Sequence, residues 1–187
     1  NSQILSPLLR DCTVRDLLIE KKNVDNLEIK TFKSGGQILL LSSILNPGAV
    51  RGASGVSLVN TDELQDIPNS FLPVFESITD AMVDTGFRIR TGTAKTSDCA
   101  LAISFEESSQ GHWCIKCPCG KYNIAAPDQQ LFQMIGKQGC SCAYCGRVLD
   151  VTTGYYVFKY PSRVYTHLGF HMPQIIFAFH NTKGGWG

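Results

Sequence analysis

Six cysteines lie in two tight groups, Cys114, Cys117 and Cys119, then Cys140, Cys142 and Cys145, with residues 120–139 between them. Sulfurs held one to three residues apart suit one shared soft cation more readily than several separate disulfides. Zinc takes four such ligands tetrahedrally and commonly receives them in pairs from tight turns. A turn of this kind reads C-x2-C-G, because the glycine lets backbone amides approach the sulfur. "CAYCG" at 142–146 has that form, and "CPCG" at 117–120 is its compressed version. The expected ligands are therefore Cys117, Cys119, Cys142 and Cys145. The alternates are Cys114, which can pair with Cys117 through "CIKC", together with Cys140 and His112. Four thiolates close the coordination shell, so a single structural zinc ion is expected rather than a catalytic one. An iron–sulfur cluster is the minor alternative. Zinc-deaminase chemistry needs an H-x-E element, and neither "HWC" nor "HLG" supplies the glutamate.

The two turns, over Cys114 to Gly146, resemble zinc-ribbon knuckles and, more distantly, the zinc finger of viral papain-like proteases. The resemblance covers about a fifth of the chain and implies a fold element. Its second half implies an alternative function, a papain-like cysteine protease or its inactive descendant. Cys12, just ahead of a predicted helix, would be the nucleophile, His167 the base, and Asn181 the orienting residue. The sequence before Cys12, "LLRD", lacks the context such a nucleophile has, which favours the inactive descendant. "MVDTGF" matches the D-T-G of aspartic proteases, but it closes an amphipathic helical pattern and reads as a helix end. His167, His171 and His180 are spaced for a second metal site only on a helix, which Gly169 and Pro173 oppose.

The elements that must position these groups read as α+β, with N-terminal helices, an antiparallel β-rich C-terminal half and an inserted zinc-binding module. "SPLLRDCTVRDLLIEKKN" is helical, "NLEIKTF" is a strand with "SGG" as a turn before the apolar "QILLLSSIL", and "VSLVN" is a short strand. "NSFLPVFESITDAMVDTG" is the clearest amphipathic helix, ending at Gly86. "FRIRTGT" and "CALAISF" read as strands, which makes Cys99 a strand-core cysteine. "PDQQLFQMIGKQG" reads as a short helix between the cysteine pairs, and "RVLDVTTGYYVFKY" as a hairpin turning at "TTG". "SRVYTHLGF" and "QIIFAFH" supply two further strands. The expected organisation is an α+β part over 1–110, the metal module over 111–147 and a β-rich part over 148–187, together making one compact domain.

The chain has 187 residues, 43% of them hydrophobic and 18% charged, which are globular values. Its net charge of +1 is unevenly spread: from Gly111 onward seven basic residues stand against Asp128 and Asp150. All four histidines, all six tyrosines and both tryptophans lie there too. "GYYVFKYPSRVY" interleaves aromatic with basic residues, and Tyr155, Lys159 and Arg163 are its candidates for stacking and phosphate contact. A binding or scaffold module follows, with a protein as first candidate partner and single-stranded RNA as second. No apolar run is long enough to suggest membrane insertion. The cysteine usage points to an intracellular, cytoplasmic setting within a larger protein, of which a viral polyprotein is one form.

Overall fold

The computed structural model describes residues 13, 29–40, 55–82 and 84–177. The predicted N-terminal helix, with Cys12, lies outside them, as do His180 and Asn181. The chain divides into two units, residues 1–92 and 93–187.

In the first unit, β1 (Ile29–Thr31) lies in the expected strand and pairs antiparallel with β2 (Gln37–Leu39) across the expected turn. Its turn needs glycine, because Gly35 has φ +90° and its N–H donates to the Phe32 carbonyl. Strands β3 (Leu58–Thr61) and β4 (Phe87–Arg90) pair in parallel, and the chain between them carries helix α1 (Leu72–Ser77). The long amphipathic helix expected over 69–86 is broken into 3-10 turns at Asn69–Phe71 and Asp80–Met82 on either side of α1. Local polar bonding explains the break. Ser77 Oγ donates to the Val74 carbonyl, and Thr79 Oγ1 and Arg88 Nη2 both donate to the Glu76 carbonyl. Those acceptors are thereby bonded from outside the helical ladder.

The second unit begins with helix α2 (Ala100–Glu107), where a strand was expected. "CALAISF" is apolar enough to suit either state. Ala and Leu are strong helix formers, and the buried positions Ala100 and Ser104 recur at the helical interval. Cys99 is accordingly the half-buried N-cap of α2 and not part of a strand core.

A three-stranded antiparallel sheet follows, ordered β6 (Tyr122–Ile124), β5 (Gly111–Lys116), β9 (Tyr155–Phe158). The hairpin expected over 147–160 does not form, because each half has another partner. Val148 bridges Ser141, while β9 pairs with β5 from Gly111↔Phe158 to Cys114↔Tyr155. Between them Asp150 caps a 3-10 turn, Val151–Thr153, by accepting from the Thr152 N–H. The predicted helix over 127–139 is likewise replaced by turns and a short pair, β7 (Ile135–Gly136) with β8 (Gly139–Cys140). Gly136 sits where any Cβ would strike Ser141, which ties the turn to the strand beside it.

The two strands expected near the C-terminus also differ. Residues 161–163 and 174–176 are 3-10 turns, and Phe170 makes one parallel bridge to Gly111. One sheet face covers a core of Ile115, Ala125, Met134, Cys140, Leu149 and Val151. Trp113 closes its margin, its indole N–H donating to the Val151 carbonyl at 3.0 Å. A Cβ on Gly154 would lie 2.2 Å from that indole nitrogen. Gly154→Ala is therefore expected to cost about 1–3 kcal/mol by overpacking, read as a lowered midpoint in urea with an unchanged slope.

Candidate metal centre

Two turns of related construction place the cysteine pairs. In the first, between β5 and β6, the Cys117 N–H donates to the Lys121 carbonyl at 2.8 Å and the Gly120 N–H to the Cys117 carbonyl at 2.9 Å. In the second, the Cys142 N–H donates to the Arg147 carbonyl at 2.8 Å and the Gly146 N–H to the Cys142 carbonyl at 2.9 Å. Gly120 and Gly146 have φ of +88° and +72°, with open space where a Cβ would stand. Backbone conformation, not crowding, thus requires glycine at both.

The sulfurs of Cys117, Cys119, Cys142 and Cys145 all lie within 4.8 Å of one another. Cys117 faces Cys145 at 3.7 Å and Cys119 faces Cys142 at 3.8 Å, so the short contacts run between the turns. A tetrahedron of metal–sulfur bonds near 2.3 Å has edges of about 3.8 Å. These four cysteines could therefore hold one metal ion. A cluster of several irons would spread its thiolates more widely than one ion does. Cys117 and Cys142 are buried and Cys119 and Cys145 exposed, which sets the centre at the edge of the core.

The thiols are electrostatically linked. Burial opposes ionisation of Cys142, but the amides of Tyr144 and Cys145 and the neighbouring thiols outweigh it and bring the group down to about 6. At Cys117 the Cys119 amide favours the thiolate, yet burial and the three surrounding thiols push the group up to about 12. One proton thus leaves the group easily and another reluctantly, as expected when like charges share a small volume. A bound dication removes that obstacle.

The alternates are placed elsewhere. Cys140 is fully buried beside Met134 and Leu149, and burial pushes its thiol up to about 11. Cys114 is buried on β5, where burial raises its pKa and the Tyr155 hydroxyl bonds it. His112 is buried against Phe105 and His171, with ring centroids 5.7 and 5.3 Å away. Burial, then the His171 charge, lowers its pKa and keeps it neutral. None of the three joins the four-sulfur group. His167 lies with Nε2 3.4 Å from Ser104 Oγ.

Of the aromatic and basic candidates, Tyr155 is exposed. Lys159 pairs with Asp128 at 3.3 Å. Arg163 Nη1 donates to the carbonyls of Glu106 and Ser108, and its guanidinium lies 4.2 Å from the Tyr160 ring centre.

One residue absent from the sequence expectations joins the two turns. Asn123, on β6 and fully buried, accepts the Ala143 N–H on Oδ1 at 2.8 Å. Its Nδ2 donates to the carbonyls of Ile115 and Lys121 at 3.4 Å. A single carboxamide thus links the first cysteine hairpin to the backbone between Cys142 and Cys145. The only sequence signal is a polar residue between Tyr122 and Ile124 in a short strand.

No protein-family model, curated protein or solved structure matches the chain. Among the described residues, no helix is long and apolar enough to cross a membrane.

Proposed function

We propose that Cys117, Cys119, Cys142 and Cys145 hold one structural zinc ion, and that the unit it stabilises is a binding module for a macromolecular partner, protein or RNA. The mutual approach of the four sulfurs carries this reading. An all-thiolate set suits zinc among the common divalent ions, and four ligands leave no open position for a substrate. The role of the metal is then cohesion: it clamps two turns separated by the β7–β8 segment, where the core between them is small. Exposed tyrosines beside lysines supply the surface for a partner. Thiolates kept reduced for a metal also fit an intracellular setting within a larger protein.

Native mass spectrometry of chain purified without added metal tests the stoichiometry. One zinc per chain is expected, with the ion lost together with compact charge states after acidification. A folded, metal-free chain overturns the reading.

A further inference from the structure

The β-sheet has one face turned to the core and another left partly open, and strand register settles which residues belong to each. Cys114 and Lys116 share a face of β5; opposite them stand Ile124 and Tyr122 on β6, and Tyr155 faces Cys114 from β9. Trp113, Ile115 and Asn123 fall on the other side, against the core. The far end of the open face, at His112, is covered by Phe105 and His171. The end nearest the first cysteine turn is not: Tyr122 is 48% exposed, Tyr155 is 50% exposed, and Lys116 is exposed.

We propose that this face, carried by Lys116, Tyr122 and Tyr155, binds single-stranded RNA. The proposal rests on the metal-held unit described above, since the Cys117–Gly120 turn fixes how β6 lies against β5. Two phenol rings on the sheet, one strand to either side of Lys116 and Cys114, offer stacking surfaces for unpaired bases. The Lys116 ammonium lies 5.5 Å from the Tyr122 ring centre, so a cation accompanies a stacking ring. Lys121 repeats the arrangement over Tyr144 at 5.8 Å, bridging the two cysteine turns.

At this end of the face the register places Cys114, Lys116, Tyr122, Ile124 and Tyr155, none of them acidic, so its charge complements phosphate. Burial, then the nearby Cys114 and Tyr122, raises the Tyr155 pKa and keeps its phenol neutral; its hydroxyl bonds Cys114 and keeps an oxygen lone pair that can accept from a ribose 2′-OH. A protein partner usually needs a large apolar anchor seated in a pocket. Here the aliphatic member, Ile124, is half-buried, opposite Cys114 and two residues from Tyr122 on β6. Duplex RNA buries the faces of its bases, so this surface selects single strands. The basic side chains differ from those the sequence suggested: Tyr155 remains, but Lys159 is held by Asp128 and Arg163 by two carbonyls.

The test measures anisotropy of a labelled decauridylate titrated with the zinc-loaded full chain, zinc content being verified on the same sample. Binding that weakens with salt is expected. Tyr122→Leu and Tyr155→Leu should each weaken it at least about fivefold, while Tyr122→Phe retains it and Tyr155→Phe keeps the stacking but loses the preference for RNA over DNA. Lys116→Ala should reduce the salt slope by about 0.7, one single-strand phosphate contact. A decathymidylate should bind more weakly, for want of the 2′-hydroxyl. Absence of binding in a zinc-loaded chain, whether or not a protein is found on the face, overturns the RNA assignment and leaves the metal reading intact. Unchanged binding in both Leu variants, or equal binding of the DNA strand, overturns it too. A folded, metal-free chain that still binds RNA with the same tyrosine dependence contradicts the metal reading alone.

Discussion

Cys142→Ala is expected to abolish the cooperative melting of residues 93–177 and to leave the chain without stoichiometric metal. The buried Cys142 sulfur faces Cys119 at 3.8 Å and receives the amides of Tyr144 and Cys145, so its loss removes a ligand and strands two N–H groups. Structural zinc sites contribute apparent binding energies of about 10–16 kcal/mol, comparable with the entire stability of a small domain. A strong chelator should act on the wild type as the substitution does. Cys140→Ala supplies the contrast. It also removes a buried sulfur, but from the apolar core, and should cost roughly 1–3 kcal/mol while the metal is retained. Circular dichroism melts with parallel metal determination separate the two. Equal effects at both positions contradict the assignment of ligands.

Asn123→Ala is the second large effect, because a single side chain serves both cysteine turns. Removing it leaves the Ala143 N–H without its partner and opens a void where Asn123 was fully buried, while the Lys121 carbonyl keeps the Cys117 N–H. Each unsatisfied buried group costs about 1–3 kcal/mol. The Ala143 amide lies inside the second cysteine turn, so the loss also loosens the ligands. Zinc affinity should fall about 10–100-fold, as when outer partners of metal ligands are removed. Competition against a chromophoric chelator reads the affinity and urea unfolding the stability. A variant that loses stability but keeps full affinity would show that Asn123 supports the core alone.

The four-cysteine group was the most legible part of the chain because its determinants are local. The glycine after each pair is required by a positive φ, and the cysteine spacing follows from a turn of four or five residues. Strand β1 with the turn after it, and strands β3 and β4, were legible for the same reason, through alternation beside a turn. The errors lie where distant partners decide. Tyr155–Phe158 has every local mark of a hairpin arm, yet its partner is β5, some forty residues earlier. Residues 127–139 have helix-like ends, but burial of Met134 and the closing of β7 on β8 leave no continuous ladder. "CALAISF" is too short for its periodicity to separate helix from strand, and its alanines and leucine decide for helix. Asn123 showed only as a polar residue in a short strand, because a buried carboxamide is recognisable only once the amide it accepts from is known.

X-ray absorption at the zinc edge tests the central claim most directly. The predicted first shell is four sulfurs at about 2.3 Å and nothing lighter. A shell containing nitrogen near 2.0–2.1 Å would bring in a histidine such as His112 and contradict the all-thiolate centre.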